Sequence, residues 1–161
     1  GVPGRGTEEA KTNDVTGRYG KGEVGVCIDM GRPGIGCYMR DVEKVAMSMA
    51  EAGVKFPGAD ETPLAKLMED IETGKLKEDV LDLHVLSVII EGKCPEENLP
   101  NVLDKVREVE GKIDTVFSLG IVSRVDEEGN TPIKGMIEEA EGFKMAKKGK
   151  VNVGLGKPFI E

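Results

Sequence analysis

The chain has 161 residues, with 22 Lys and Arg against 30 Asp and Glu, and a net charge of −8. An acidic surface repels phosphate backbones and anionic membranes, and 4% aromatic residues with no Trp leave few platforms on which bases could stack. Nucleic acid and membrane are therefore excluded as main partners, while 39% hydrophobic residues suffice for the aliphatic core of one domain.

Residues 1–22 hold six of the 22 glycines and are too polar to supply core, so they read as a flexible Gly-rich arm. The single domain then runs over 23–161. Its first strand is the apolar run EVGVCIDM at 23–30. A Gly/Pro loop follows, and Val42, Val45, Ala46 and Met49 recur at helical spacing before Gly53 stops the helix. Val54, Lys55 and Phe56 resume extended character. Thr62 as cap, Pro63 in the first turn and the stripe Leu64, Leu67, Met68 and Ile71 predict an inserted helix over 62–73, stopped by Gly74. Residues 75–82 form a charged connector.

The apolar run from Leu83 to Ile90, closed by Gly92, has the pattern of a strand buried on both faces. Asn98 is placed to cap a helix whose stripe is Leu99, Val102, Leu103, Val106 and Val109, and Gly111 to end it with positive φ. Val116, Phe117, Leu119, Ile121 and Val122 form another strand, closed by a turn over 126–130. Two strands joined by a helix lie parallel in one sheet. Thr131 and Pro132 open a helix carrying Ile133, Met136, Ile137 and Ala140, and 150–156 alternates as an edge strand, so 131–159 supplies a last helix and strand.

The strand–helix–strand pattern occurs twice, over about 23–57 and 82–125. Residues 53–56 (GVKF) echo 111–117, and Cys27-Ile28-Asp29 echoes Ile89-Ile90-Glu91. Tandem βαβ units resemble the ferredoxin-like fold, and its ACT-like ligand-binding modules in particular. The resemblance implies an α+β domain: a four- to five-stranded antiparallel sheet with helices on one face. The texture, rich in Glu and Lys with few aromatics and short Gly-rich turns, also resembles archaeal proteins of uncharacterised role, those of methanogens included.

Loop 31–36, GRPGIG, joins the first strand to the first helix, where backbone N–H groups and the helix dipole hold anions. Arg32 and Arg40 bracket it, and a guanidinium can clamp a carboxylate or phosphate. The spacing is neither a dinucleotide fingerprint nor a P-loop, and a purely structural loop is an equally good reading. Gly4-Arg5-Gly6, the stretch 17–20 and the stretch 154–157 are further Gly-rich turns with basic residues, in which solvated side chains are the simpler reading. Cys27 lies in a strand and reads as core. Cys37 and Cys94 fall at strand-to-helix loops, where a helix N-terminus lowers a thiol pKa, yet no base stands nearby in sequence. His84, the only histidine, lies near Asp79 and Asp82. Asp29 and Glu91 end equivalent strands and could act as paired carboxylates or simply be solvated.

The expectation is a small-molecule-binding protein that takes an anionic metabolite, a carboxylate or phosphate, through Asp29, Gly31, Arg32, Gly34, Gly36 and Arg40. No metal set and no catalytic set is assigned, and the cofactor is left open. An enzyme on such a metabolite, or a non-catalytic subunit, are the alternatives. No signal-peptide pattern and no run of about eighteen apolar residues occurs. With three cysteines, an odd number, the expected setting is the reducing cytoplasm. Open sheet edges point to a homodimer.

Overall fold

Strand β1 (Glu23–Met30) occupies the middle of the main sheet, between β6 (Val88–Pro95) and β7 (Phe117–Ser123), both antiparallel to it. The computed structural model describes residues 19–145. Along them lie β2 (Cys37–Tyr38), α1 (Met39–Glu51), β3 (Met68–Asp70), β4 (Lys75–Leu76), β5 (His84–Val85), α2 (Leu99–Glu110) and α3 (Ile133–Glu139). Two small antiparallel ladders, β2 with β5 and β3 with β4, complete a mixed α+β architecture.

The pleat of β1 sorts its residues. Val24, Val26, Ile28 and Met30 are almost wholly buried and face the helices, while Gly25, Cys27 and Asp29 point to the other side. Ile90 and Cys94 of β6 join the buried side, and α1 and α2 close over it with Val42, Val45, Ala46 and Met49 and with Leu99, Val102, Leu103, Val106 and Val109. These are the helical stripes read from the sequence, and each Val, Leu or Met among them contributes about 1.5–3 kcal/mol on full burial. Since β6 and β7 both run against β1, they are parallel to each other, joined through α2, with β1 between them.

Several expectations are corrected. No helix covers 62–73. Ala65 donates to Thr62 Oγ1 and one 3-10 turn forms over Ala65–Leu67, but Met68 is already extended (ψ 136°) and starts a hairpin. The reason is local: Asp70 accepts hydrogen bonds from the Glu72 N–H and the Thr73 hydroxyl, both at 2.9 Å, so its side chain offers the backbone a turn in place of a helix. The run 83–92 is also not one strand buried on both faces. It breaks between β5 and β6, Leu83 and Leu86 are exposed, and β6 continues past Gly92 to Pro95 with alternating burial.

Asn98 makes no capping bond, because a 3-10 turn over Glu96–Asn98 leads directly into α2. Gly111 sits at φ −72°, in reach of any residue. The left-handed helix stop belongs to Gly53 (φ 89°), where Gly53 N–H bonds Ala50 O and Val54 N–H bonds Met49 O. After it, the expected fourth strand shrinks to a single antiparallel bridge, Lys55 with Lys93. Pro57 cannot donate to a ladder, which ends the extension early. Gly92 makes even this bridge possible, since a Cβ there would lie 2.4 Å from Val54 Cγ1. The expected strand at 150–156 and nearly all of the arm 1–22 lie outside the described residues. The 126–130 turn and the helix from Ile133 form as expected.

The two glycines therefore separate by experiment. Gly53→Ala is expected to cost about 1 kcal/mol or more because of its positive φ, whereas Gly111→Ala should be neutral or stabilising by about 0.4–1 kcal/mol. Urea unfolding followed by circular dichroism measures both.

Candidate functional site

The face of the sheet turned away from the helices carries three cross-strand rows set by the register: Lys93–Gly25–Val122, Glu91–Cys27–Gly120 and Ile89–Asp29–Ser118. Asp29 and Glu91, expected at equivalent strand ends, thus share this face on adjacent rows. Asp29 leads into loop 31–36, and the Arg32 side chain folds back over it, with Nε 3.8 Å from Asp29 Oδ2. Both side chains are largely out of water, at 14% exposure for Arg32 and 19% for Asp29. The separation is too long for a hydrogen bond. Among the described residues, the buried Asp29 Oδ1 meets no hydrogen-bond partner. Buried carboxylate oxygens are rarely left in that condition, because the lost hydration is not replaced.

The loop itself is tightly fitted. Gly31, Gly34 and Gly36 all have positive φ, and the Arg32–Pro33 peptide is cis. A Cβ on Gly31 would sit 2.8 Å from Leu86 O, and one on Gly36 2.5 Å from His84 Cε1. Gly31 and Gly36 thus answer to packing against residues 84–86, while a Cβ on Gly34 would meet nothing within 4 Å and that glycine answers to its positive φ alone. Several N–H groups are already engaged: Gly31 donates to Val116 O at 2.8 Å, and Ile35 and Gly36 donate to Gly31 O at 3.2 and 2.8 Å. At the start of α1, Met39 and Arg40 donate to Leu83 O and Leu81 O. The Thr115 hydroxyl bonds Gly36 O at 2.7 Å.

The two arginines serve different partners. Arg32 belongs to Asp29. Arg40 is half-exposed, pairs with Asp82 and lies over the Tyr38 ring at 5.5 Å. His84 meets the same ring edge-on, with centroids 4.9 Å apart, while Asp82, an expected companion of His84, is turned to Arg40.

The cysteines move from their expected places. Cys27 is not in the core: it is half-buried on the open face, in one row with Glu91. Cys37 and Cys94 lie in β2 and β6 and not in loops, each 2% exposed, with Cys37 immediately before Tyr38 at the start of α1. Burial pushes all three thiols up to about 11, helped by Glu91 and Asp29 at Cys27, by Asp41 and Asp29 at Cys37 and by Glu23 at Cys94. Among the described residues no group of three or more His, Cys, Asp or Glu is placed to hold a metal ion.

A concavity lies elsewhere, along an outer strand of the sheet. A cleft of about 490 Å³ lies along β6, lined by Tyr19, Lys55, Phe56, Pro57, Gly58, Glu61, Glu91, Gly92 and Lys93. Its sequence signal was the glycine inside β6 together with Pro57-Gly58. Lys93 Nζ is tied to Glu23 Oε2 at 2.9 Å, and Glu23 is held below the usual carboxylate range by that bond and by the Gly20 N–H.

No helix among the described residues is long and apolar enough to cross a membrane. Comparison with protein-family models, curated proteins and solved structures gives no match to this chain.

The thiolate is the reactive form of cysteine, so raised thiol pKa values mean slow chemistry. In native protein near pH 8, Cys37 and Cys94 should resist iodoacetamide and become reactive in urea, as mass spectrometry of the labelled peptides would show. Unfolded thiols ionise near 9 and the native ones only near 11, so unfolding releases protons in that window. Stability should accordingly fall as pH rises from about 9 to 11.

Proposed function

We propose that this is a cytoplasmic, homodimeric small-molecule-binding protein of the ferredoxin-like, ACT-like kind, whose ligand is an anionic metabolite held where β1 runs into loop 31–36. The fold reading is supported by the strand order β6-β1-β7, with Lys55 extending the sheet beyond β6 by one bridge. A reducing compartment agrees with three free cysteines.

One observation carries the ligand reading: the buried Oδ1 of Asp29, without a partner among the described residues, beside a largely buried arginine. A guanidinium is the natural partner of a carboxylate or phosphate, and an unpaired carboxylate oxygen calls for a donor. Together they suit a small acid with an adjacent amino or hydroxyl group. Arg32 takes the acid and Asp29 the donor, while Gly31, Gly34 and Gly36 hold the loop in the shape that brings Arg32 back over the sheet. Arg40, engaged with Asp82, has a supporting place at the helix start.

Thermal-shift measurements against amino acids, hydroxy acids, keto acids and sugar phosphates test this. A ligand at about 100 times its Kd stabilises by about 2.7 kcal/mol, or about 5–10 °C for a chain of this size. Amino or hydroxy acids should give such a shift, lost in both Arg32→Ala and Asp29→Asn. No shift with any compound, or a shift that survives Arg32→Ala, overturns the assignment.

A further inference from the structure

The two outer strands of the main sheet are built differently. On β6, the outer edge is bridged by Lys55, and the strand carries Glu91, Lys93 and Pro95, charges and a proline that discourage further pairing. β7 reads FSLGIVS, without a charge or a proline, in a chain of which 32% is charged. One of its edges pairs with β1 over its whole length, and among the described residues no strand pairs with the other. Exposed valines, Val116 and Val125, stand just beyond its two ends. Such an edge is a template for another strand unless something covers it.

The sequence of the strand indicates what covers it. Laid antiparallel on itself about Gly120, β7 brings Leu119 opposite Ile121, Ser118 opposite Val122 and Phe117 opposite Ser123 of a second copy. No like charges meet, which is the usual obstacle to self-pairing in an acidic protein. The small dyad residue leaves room for the close approach of two identical backbones. Phe117, Leu119 and Ile121, half-buried against the core, would continue that layer into the neighbouring copy.

We propose that β7 is the dimerisation edge: two chains join β7 to β7, antiparallel with the two-fold axis at Gly120, into one continuous six-stranded sheet. An isologous contact of this kind closes on itself, so it yields a dimer and no filament. It also sets the two Asp29–Arg32 pairs on one face of a shared sheet, although the pairing depends on neither residue.

Sedimentation equilibrium of the whole chain and of two double variants tests the edge and its register. The wild type should have twice the chain mass. Ser118→Lys with Val122→Lys places lysine against lysine across the axis and should give a monomer. Ser118→Lys with Val122→Asp places lysine against aspartate and should restore the dimer. Circular dichroism and melting curves establish that both variants fold. A monomeric wild type at the highest soluble concentration overturns the proposal, which would leave this edge to another protein. A dimer that persists in the lysine pair overturns it, as does a folded lysine–aspartate variant that stays monomeric.

Discussion

The two-residue period of β1 is the constraint on which everything else in this protein depends. As the middle strand it has neighbours on both edges, so its register is fixed twice, and a slip by one residue would carry Val24, Val26, Ile28 and Met30 out of the core. The same alternation delivers Asp29 to the face away from the helices. Core and candidate site are thus two sides of one strand. The side chains that build the core and those of Cys27 and Asp29 on the opposite face occupy alternate positions of a single eight-residue segment.

Around that strand, the helices add specificity through a few polar ties. Asp41 is buried on α1 and accepts a hydrogen bond from the Asp114 N–H at 3.2 Å and an ion pair from Lys44 at 2.9 Å, while Lys44 also reaches Lys112 O. These bonds fasten the start of α1 to the turn between α2 and β7. The β3–β4 hairpin is pinned similarly: Glu43 accepts from the Leu76 N–H, and Gly74 lies so close to α1 that a Cβ would stand 2.8 Å from Ala46 C.

How far all this could be read from residues alone varied with the kind of signal. Strong periodic patterns were legible. EVGVCIDM gave β1 to the residue, and the stripes of Val42, Val45, Ala46 and Met49 and of Leu99 to Val109 gave α1 and α2. The stretch 62–73 failed because its apolar residues fit a helical stripe while Asp70 and Thr73 favoured a turn, a contest that tertiary contacts with α1 decide. Capping failed at Gly111 for a related reason: a glycine near a helix end marks a left-handed residue only when the chain must turn there. For the site, Asp29, Arg32 and the loop glycines were visible, but the partition of Arg32 and Arg40 between different acids depends on residues brought from 81–84. The position of Cys27 could have been found by counting from Ile28, since neighbours on a strand face opposite ways.

The wide separation of β1 from its partners has a consequence for how the protein is made. Synthesis delivers β1 well before its flanking strands β6 and β7, which begin only at Val88 and Phe117. Until then Val24, Val26, Ile28 and Met30 belong to an emerging chain with nothing to pair against, and α1 can offer only one wall of the future core. The sheet must close over long loops and therefore late. A ribosome-bound chain cut short before β7 would present β1 with one bare edge, so holding that segment soluble during translation is a demand the finished fold no longer reveals.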